Sequence, residues 1–339
     1  MLKDIQQNLN IENKQMNIFV IGSGTFGTAI SNELVRNTDN KVTIFSRSLE
    51  KANEINAFHT NKRYFPNKKL SESLKCTNLH SDVEKADVIF IAIPSSCLRD
   101  ILVDFQNFIS NNQLVVNLSK GIFENGDTVV DYLKGLLDSE NIVSLKGPSF
   151  AVEIMEHADT LLTLGYSFEN QKDIINSMFR NTNLHFDSTK DIKGVEILSV
   201  VKNMYALLIG VIDAKYNSPN TRFMFLTKVF AEIRVLNNHF NGELDTMFLS
   251  CGLGDICLTS LNDLSRNRTL GLLIGKGLYN PSSNGSAVVT EGVNSIKTIY
   301  SLIDQSLIKE LPFLNKLHIF LDSNSKGITL DFNEFFQNI

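Results

Sequence analysis

The sequence predicts an α/β N-terminal domain with a doubly wound, mainly parallel sheet, followed by an all-α C-terminal domain. Three observations predict it. Short apolar runs alternate with amphipathic stretches through the first half, and a glycine-rich turn directly follows the first run. From about residue 191 the apolar runs lengthen and lose their alternation. Strand–helix alternation argues for a parallel sheet with crossover helices, and long apolar runs without β-type alternation for buried helices.

The polar opening MLKDIQQNLNIENKQ (1–15) has no apolar core and no cleavage-like site, so it reads as an extension before the first strand rather than a secretory signal. Buried strands are expected at NIFVIGSG (17–24), KVTIFS (41–46), DVIFIAIP (87–94), QLVVNLSKG (113–121) and NIVSLKG (141–147), each bounded by Gly, Pro, Asn or Asp. LKCTNL (74–79), TLLTLG (160–165) and LHFDST (184–189) are weaker candidates. TAISNELVRN, SLEKANEINAF and CLRDILVDFQNFI supply helices between them. The expected division is therefore an extension over 1–15, a sheet domain over 16–190 and a helical domain over 191–339.

The stretch FVIGSGTFGTAI holds G-x-G-x-x-G at Gly22, Gly24 and Gly27, between a strong strand and a helix. In that context the pattern has a mechanism. The first glycine permits the tight turn, the second lets a pyrophosphate approach the backbone, and the third lets helix and strand pack closely. Free N–H groups at the helix start then face the phosphates. This is the Rossmann arrangement. An NAD-preferring site usually places an acid about 20 residues on, for the ribose 2′-hydroxyl. Here FSRS puts Arg47 in that place, and a guanidinium can hold a 2′-phosphate through paired donors. A surface arginine without a ligand reads equally well from this position alone.

LSKGI (118–122) and KGPSFA (146–151) each follow a strand, and ligands of open parallel sheets bind beyond the carboxyl ends of the strands. Lys120, Gly147 and Ser149 are therefore expected to face the ligand. In the second half, VEILSVVKNMYALLIGVI (195–212) is apolar except for a narrow stripe of Glu196, Ser199, Lys202, Asn203, Ala206 and Gly210 at helical spacing. Two charges in so short a run argue against a membrane span. Taken alone, Lys202 reads as a side chain that snorkels to water. Further on, CGLGDICLTSLNDLSRNRTLG (251–271) carries Asp255 and then Ser265, Arg266, Asn267 and Arg268. This mixture of hydroxyl, amide and guanidinium donors suits a phosphate.

Composition excludes other classes. The chain has 339 residues, 43% hydrophobic and 20% charged, with a net charge of −5. That balance offers no basic footprint for nucleic acid. Four scattered cysteines show no C-x-x-C pair and fit a reducing cytoplasm, and the isolated histidines offer no metal-ligand spacing. No metal is expected.

GSGTFGTA, NKRYFP, IPS, SKGI, GPSFA, GVE…KN, GLGD, SRNR and VVTEGV, in this order, resemble the bacterial-type NAD(P)-dependent glycerol-3-phosphate dehydrogenases, from about residue 17 to about residue 300. The resemblance implies a Rossmann domain, a helical domain, and hydride exchange between NADPH/NADP or NADH/NAD and the pair dihydroxyacetone phosphate and sn-glycerol 3-phosphate, supplying phospholipid synthesis in the cytoplasm. By motif it assigns the coenzyme to Thr25, Phe26, Arg47, Lys120, Ala151, Arg266, Val289 and Glu291, beside the loop glycines. Substrate falls to Lys120, Gly147, Ser149, Lys202, Asp255, Ser265, Arg266 and Asn267, with Lys202 as the proton-transferring group. That role reverses the snorkelling reading, because no histidine lies in any of these motifs. Partners beyond the small-molecule substrate are not implied, although a homodimer stays open. The chain departs from the pattern at Ser199-Val200-Val201, at Thr227-Lys228-Val229 and at Lys146, an unusual cation before Gly147-Pro148-Ser149. A lysine-dependent hydroxyacid dehydrogenase would need a carboxylate pocket and has no use for the S-R-N-R cluster. A non-catalytic nicotinamide sensor has no use for Lys120, Lys202 and Asp255 together.

Overall fold

The computed structural model describes residues 15–279 and 291–322, together with Leu330, Phe332 and Phe336. The first apolar run forms β1 (Met16–Ile21), and the seven others become β2 (Asn40–Phe45), β3 (Lys75–Thr77), β4 (Val88–Ile91), β5 (Leu114–Asn117), β6 (Ile142–Lys146), β7 (Thr160–Gly165) and β8 (Leu184–Thr189). They make one sheet in the order β3-β2-β1-β4-β5-β6-β7-β8. β4 to β6 are buried at every position, as strands covered on both faces must be. All neighbours are parallel except β6 and β7, which pair antiparallel from Ser144↔Gly165 to Lys146↔Thr163.

The helices in chain order are α1 (Thr25–Leu34), α2 (Leu49–Phe58), α3 (Leu98–Leu102), α4 (Val129–Leu137), α5 (Ala151–Ile154), α6 (Glu169–Met178), α7 (Ile192–Tyr216), α8 (Pro219–His239), α9 (Asp255–Leu261), α10 (Arg266–Gly275), α11 (Glu291–Leu302), α12 (Gln305–Ile308) and α13 (Pro312–Asp322). The chain divides into two compact units. One holds the residues up to Lys120 together with Val129–Glu196; the other holds Gly121–Thr128 and Ile197–Ile339.

The sheet unit has its core where β1, β2, β4 and β5 meet α1 and α2, around Ile18, Val20, Ile30, Ile44, Ile55 and Phe90. The helical unit is organised on α7. This helix is long and apolar enough to cross a membrane, but its most apolar window lies wholly inside the protein. It is a core helix. Its glycine explains the C-terminal half of the polar-or-small stripe. A Cβ on Gly210 would lie 2.3 Å from the Arg268 carbonyl oxygen, and one on Gly271 would lie 2.0 Å from that of Leu207. These two glycines let α7 and α10 touch backbone to backbone.

Glu232 on α8 is a second buried feature of the helical unit. Its carboxyl accepts from the Tyr205 hydroxyl (2.8 Å) and from the Phe313 and Leu314 amides (2.6 and 3.2 Å), so it caps the start of α13. Burial pushes it up from its ordinary 4.5 to about 7, against the opposing effect of those hydrogen bonds. The folded chain thus holds a proton that the unfolded chain releases between these values, and stability falls as pH rises through this window. The full loss is about 3 kcal/mol. Glu232→Gln does not titrate. Urea titrations at pH 5 and pH 8 should show the wild type losing about that much relative to the variant; parallel pH dependences would mean that Glu232 does not change charge there.

Candidate active site

The glycine loop has the geometry its three positions require. Gly22 has φ of +122°, and a Cβ there would sit 2.4 Å from the Ala92 carbonyl oxygen. Gly27 packs so closely that a Cβ would lie 1.9 Å from the Gly22 carbonyl oxygen. Gly24, by contrast, has no heavy atom within 4 Å of where its Cβ would be, and it is the N-cap of α1. Two glycines are thus required by the protein's own packing. The third opens a space next to a helix start, where backbone N–H groups receive phosphate oxygens. These residues fit a dinucleotide. Thr25 and Phe26 form the first turn of α1 and are half-buried, while Arg47 is exposed directly after β2.

Further along the sheet, Lys120 follows β5 and is half-buried. Gly147 follows β6 with φ of +152°, where a Cβ would meet Leu162 at 3.0 Å. That backbone shape makes a side chain costly there. Ser149 donates its hydroxyl to the Gly147 carbonyl (2.9 Å), and Ala151 opens α5.

In the helical unit Lys202 is 4% exposed, so its ammonium does not snorkel to water. It donates to Asp255 Oδ1 at 2.5 Å and to Thr259 Oγ1 at 3.1 Å, while Thr259 donates to the same carboxylate oxygen at 3.2 Å. Asp255 opens α9 directly after a π-helical turn, Ser250–Gly254. Single π turns concentrate at functional sites, and a carboxylate is favoured at a helix N-terminus. Thr259 is the residue that sequence reading missed. Its signal was the i, i+4 spacing from Asp255, which places both on one face of a helix.

The S-R-N-R cluster separates into four roles. Ser265 caps α10, its hydroxyl accepting from the Arg268 amide at 3.3 Å. Arg268 is buried and bonded to Asp213, to Asp263 Oδ1 (2.9 Å) and to the Ser260 carbonyl (3.0 Å), which makes it a structural cation. Asn267 donates to Asn203 Oδ1 (3.1 Å) and accepts from the Gly292 amide (3.0 Å). Arg266 is the exposed cation of the four. Glu291, also exposed, accepts from Asn203 at 3.3 Å, so Asn203 and Asn267 tie α7, α10 and α11 together. Val289 lies outside the described residues.

A doubly wound sheet with a phosphate-ready glycine loop, joined to a helical unit with a buried lysine–carboxylate pair, defines a nicotinamide-dinucleotide oxidoreductase of the two-unit type. The chain belongs to the NAD-dependent glycerol-3-phosphate dehydrogenase family: residues 17–172 match its N-terminal part and residues 191–329 its C-terminal part. The match therefore continues beyond residue 300, where the recognisable motifs stop. Among relatives named glycerol-3-phosphate dehydrogenase [NAD(P)+], one from Methanothermobacter thermautotrophicus is 32% identical over 96% of this chain and 98% of its own. Another from Maridesulfovibrio salexigens is 32% identical over 89% of this chain and 93% of its own. A crystal structure of glycerol-3-phosphate dehydrogenase from Coxiella burnetii superposes with a TM-score of 0.83, covering 93% of this chain and 96% of that one, at 24% identity. That last likeness is one of fold.

Proposed function

We propose that this chain interconverts dihydroxyacetone phosphate and sn-glycerol 3-phosphate with NAD(P)(H), in the cytoplasm and in support of phospholipid synthesis. The observation that carries the reading is the buried Lys202, held by Asp255 and Thr259, in a chain of this family. When bound, the nicotinamide supplies the hydride to C2 of the ketone or takes it from C2 of the alcohol. Lys202 moves the accompanying proton. In reduction its ammonium gives a proton to the developing alkoxide at C2, and in oxidation the neutral amine takes the hydroxyl proton. Asp255 and Thr259 direct two of the three ammonium hydrogens, so the group does not have to be ordered at the moment of reaction.

The coenzyme is assigned to Gly22, Gly24, Thr25, Phe26, Gly27 and Arg47, with Lys120, Ala151, Arg266, Val289 and Glu291. Substrate is assigned to Lys120, Gly147 and Ser149 in the sheet unit, and to Lys202, Asp255, Ser265, Arg266 and Asn267 in the helical unit. Asn267 has its amide largely engaged by Asn203 and Gly292, so its contribution is one remaining amide hydrogen. The deciding experiment follows reduced-nicotinamide absorbance with dihydroxyacetone phosphate and each coenzyme. No consumption of either coenzyme would refute the reading.

Arg47 is assigned to the 2′-phosphate of NADPH. It is exposed at the end of β2, where an acid would otherwise bind the ribose. Arg47→Ala should weaken NADPH by roughly tenfold or more, the worth of a charge-assisted hydrogen bond, and NADH far less. Equal losses for both coenzymes in a fluorescence titration would remove Arg47 from that role.

A further inference from the structure

Lys146 is fully buried at the end of β6. Its Nζ donates to the Asn117 carbonyl at 2.9 Å and lies 2.8 Å from Glu196 Oε1. Glu196 sits in α7 and accepts as well from the Ser144 hydroxyl and from Asn117 Nδ2, the latter at 3.0 Å to both of its oxygens. Asn117 in turn holds Ser119, donating to its carbonyl (3.1 Å) and accepting from its amide (2.9 Å). One ammonium therefore joins the end of β5, the end of β6 and the first turns of α7. The next residue after Ser119 is Lys120, and the next after Lys146 is Gly147.

We propose that Lys146 is a positioning residue, fixing the loops that carry Lys120 and Gly147–Ser149; the assignment of substrate to those loops rests on the functional reading above. Taking an ammonium and a carboxylate out of water costs several kcal/mol each, and an apolar side chain would fill the same volume without that cost. What the ion pair adds is direction. Its donors and acceptors set where β5 and β6 end relative to one another. Gly147 then turns the chain at φ of +152°, so a small rotation at Lys146 re-aims Ser149.

The test separates positioning from bulk stability. Lys146→Met alone leaves the Glu196 carboxylate buried without its cation and should lower Tm. Lys146→Met/Glu196→Gln removes both charges at similar volume and should regain most of that loss. If Lys146 positions the loops, the double variant still shows a KM for dihydroxyacetone phosphate raised roughly tenfold or more, since small misplacements of binding groups are costly. NADPH affinity falls far less, because the glycine loop and Arg47 hold most of the coenzyme outside these loops, and the amides of 118–120, 147 and 149–151 exchange hydrogen faster than in the wild type. A double variant with wild-type KM and wild-type exchange in both loops overturns the proposal. If the double variant does not fold, Glu196→Gln takes its place, since it keeps an acceptor for Ser144. A raised KM with faster loop exchange in that variant then supports the proposal, and wild-type values of both overturn it. A wild-type protein inactive on dihydroxyacetone phosphate would refute the functional reading instead. The exchange measurement needs no substrate and still decides the role of Lys146.

Discussion

Lys202→Ala should lower kcat by roughly 10²–10⁴, the usual contribution of a positioned acid–base group, while NADPH affinity is kept. The structure adds a second expectation. Lys202 is bonded to a carboxylate that is 1% exposed, so its removal leaves Asp255 buried without its cation. Breaking a buried pair in this way costs about 3–5 kcal/mol, and the single variant should therefore melt earlier as well. Lys202→Met/Asp255→Asn removes both charges and separates the two effects: stability should return and activity should not. Lys202→Arg should also be poor, because a guanidinium does not release its proton near neutral pH. The check is steady-state kinetics beside thermal melts. Near-wild-type turnover in Lys202→Ala would exclude Lys202 from the chemistry and leave Lys120 as the next candidate.

How much of this was legible in the sequence depended on whether the signal was local. Five of the eight strands were plainly so, as short apolar runs closed by Gly, Pro, Asn or Asp, while β3, β7 and β8 read more weakly, since Lys75–Thr77 and Leu184–Thr189 are largely polar. The antiparallel step at β7 was not. Strand periodicity carries no direction, and direction is set by the connection. Between Lys146 and Thr160 the chain forms only the one-turn α5, Ala151–Ile154, rather than a full crossover helix, and β7 runs back along β6. In α7 the spacing of small and polar residues was readable, but only the structure separates their purposes. Gly210 admits the backbone of α10, Glu196 receives Lys146, and Lys202 receives Asp255 and Thr259. Each partner is distant in sequence, and no local rule pairs them. The glycine loop was the most legible part of the site, because there the chemistry is written in backbone conformation.

The cluster Ser265-Arg266-Asn267-Arg268 shows the same limit and supplies the last prediction. As a sequence it offered four donors to one phosphate. As the start of a helix it cannot, because Arg266 and Arg268, two residues apart, point to nearly opposite sides. Ser265 is the cap, and Arg268 turns inward to Asp213 and Asp263. Arg266, exposed in the first turn, is the cation that remains for an anion, at the end of a helix where anions are favoured. Arg266→Ala should therefore weaken dihydroxyacetone phosphate by tenfold or more, from the loss of about 1.5–3 kcal/mol. Dihydroxyacetone, which lacks the phosphate, should be a poor substrate of the wild type and lose far less in the variant. Arg268→Ala should behave differently: it strips a buried carboxylate of one of its two cations, Arg222 remaining at 2.5 Å, so it should lower Tm. Comparing the two variants on the phosphorylated and unphosphorylated substrates decides the assignment. Unchanged binding of dihydroxyacetone phosphate in Arg266→Ala would make that arginine part of a solvated face and move the phosphate elsewhere.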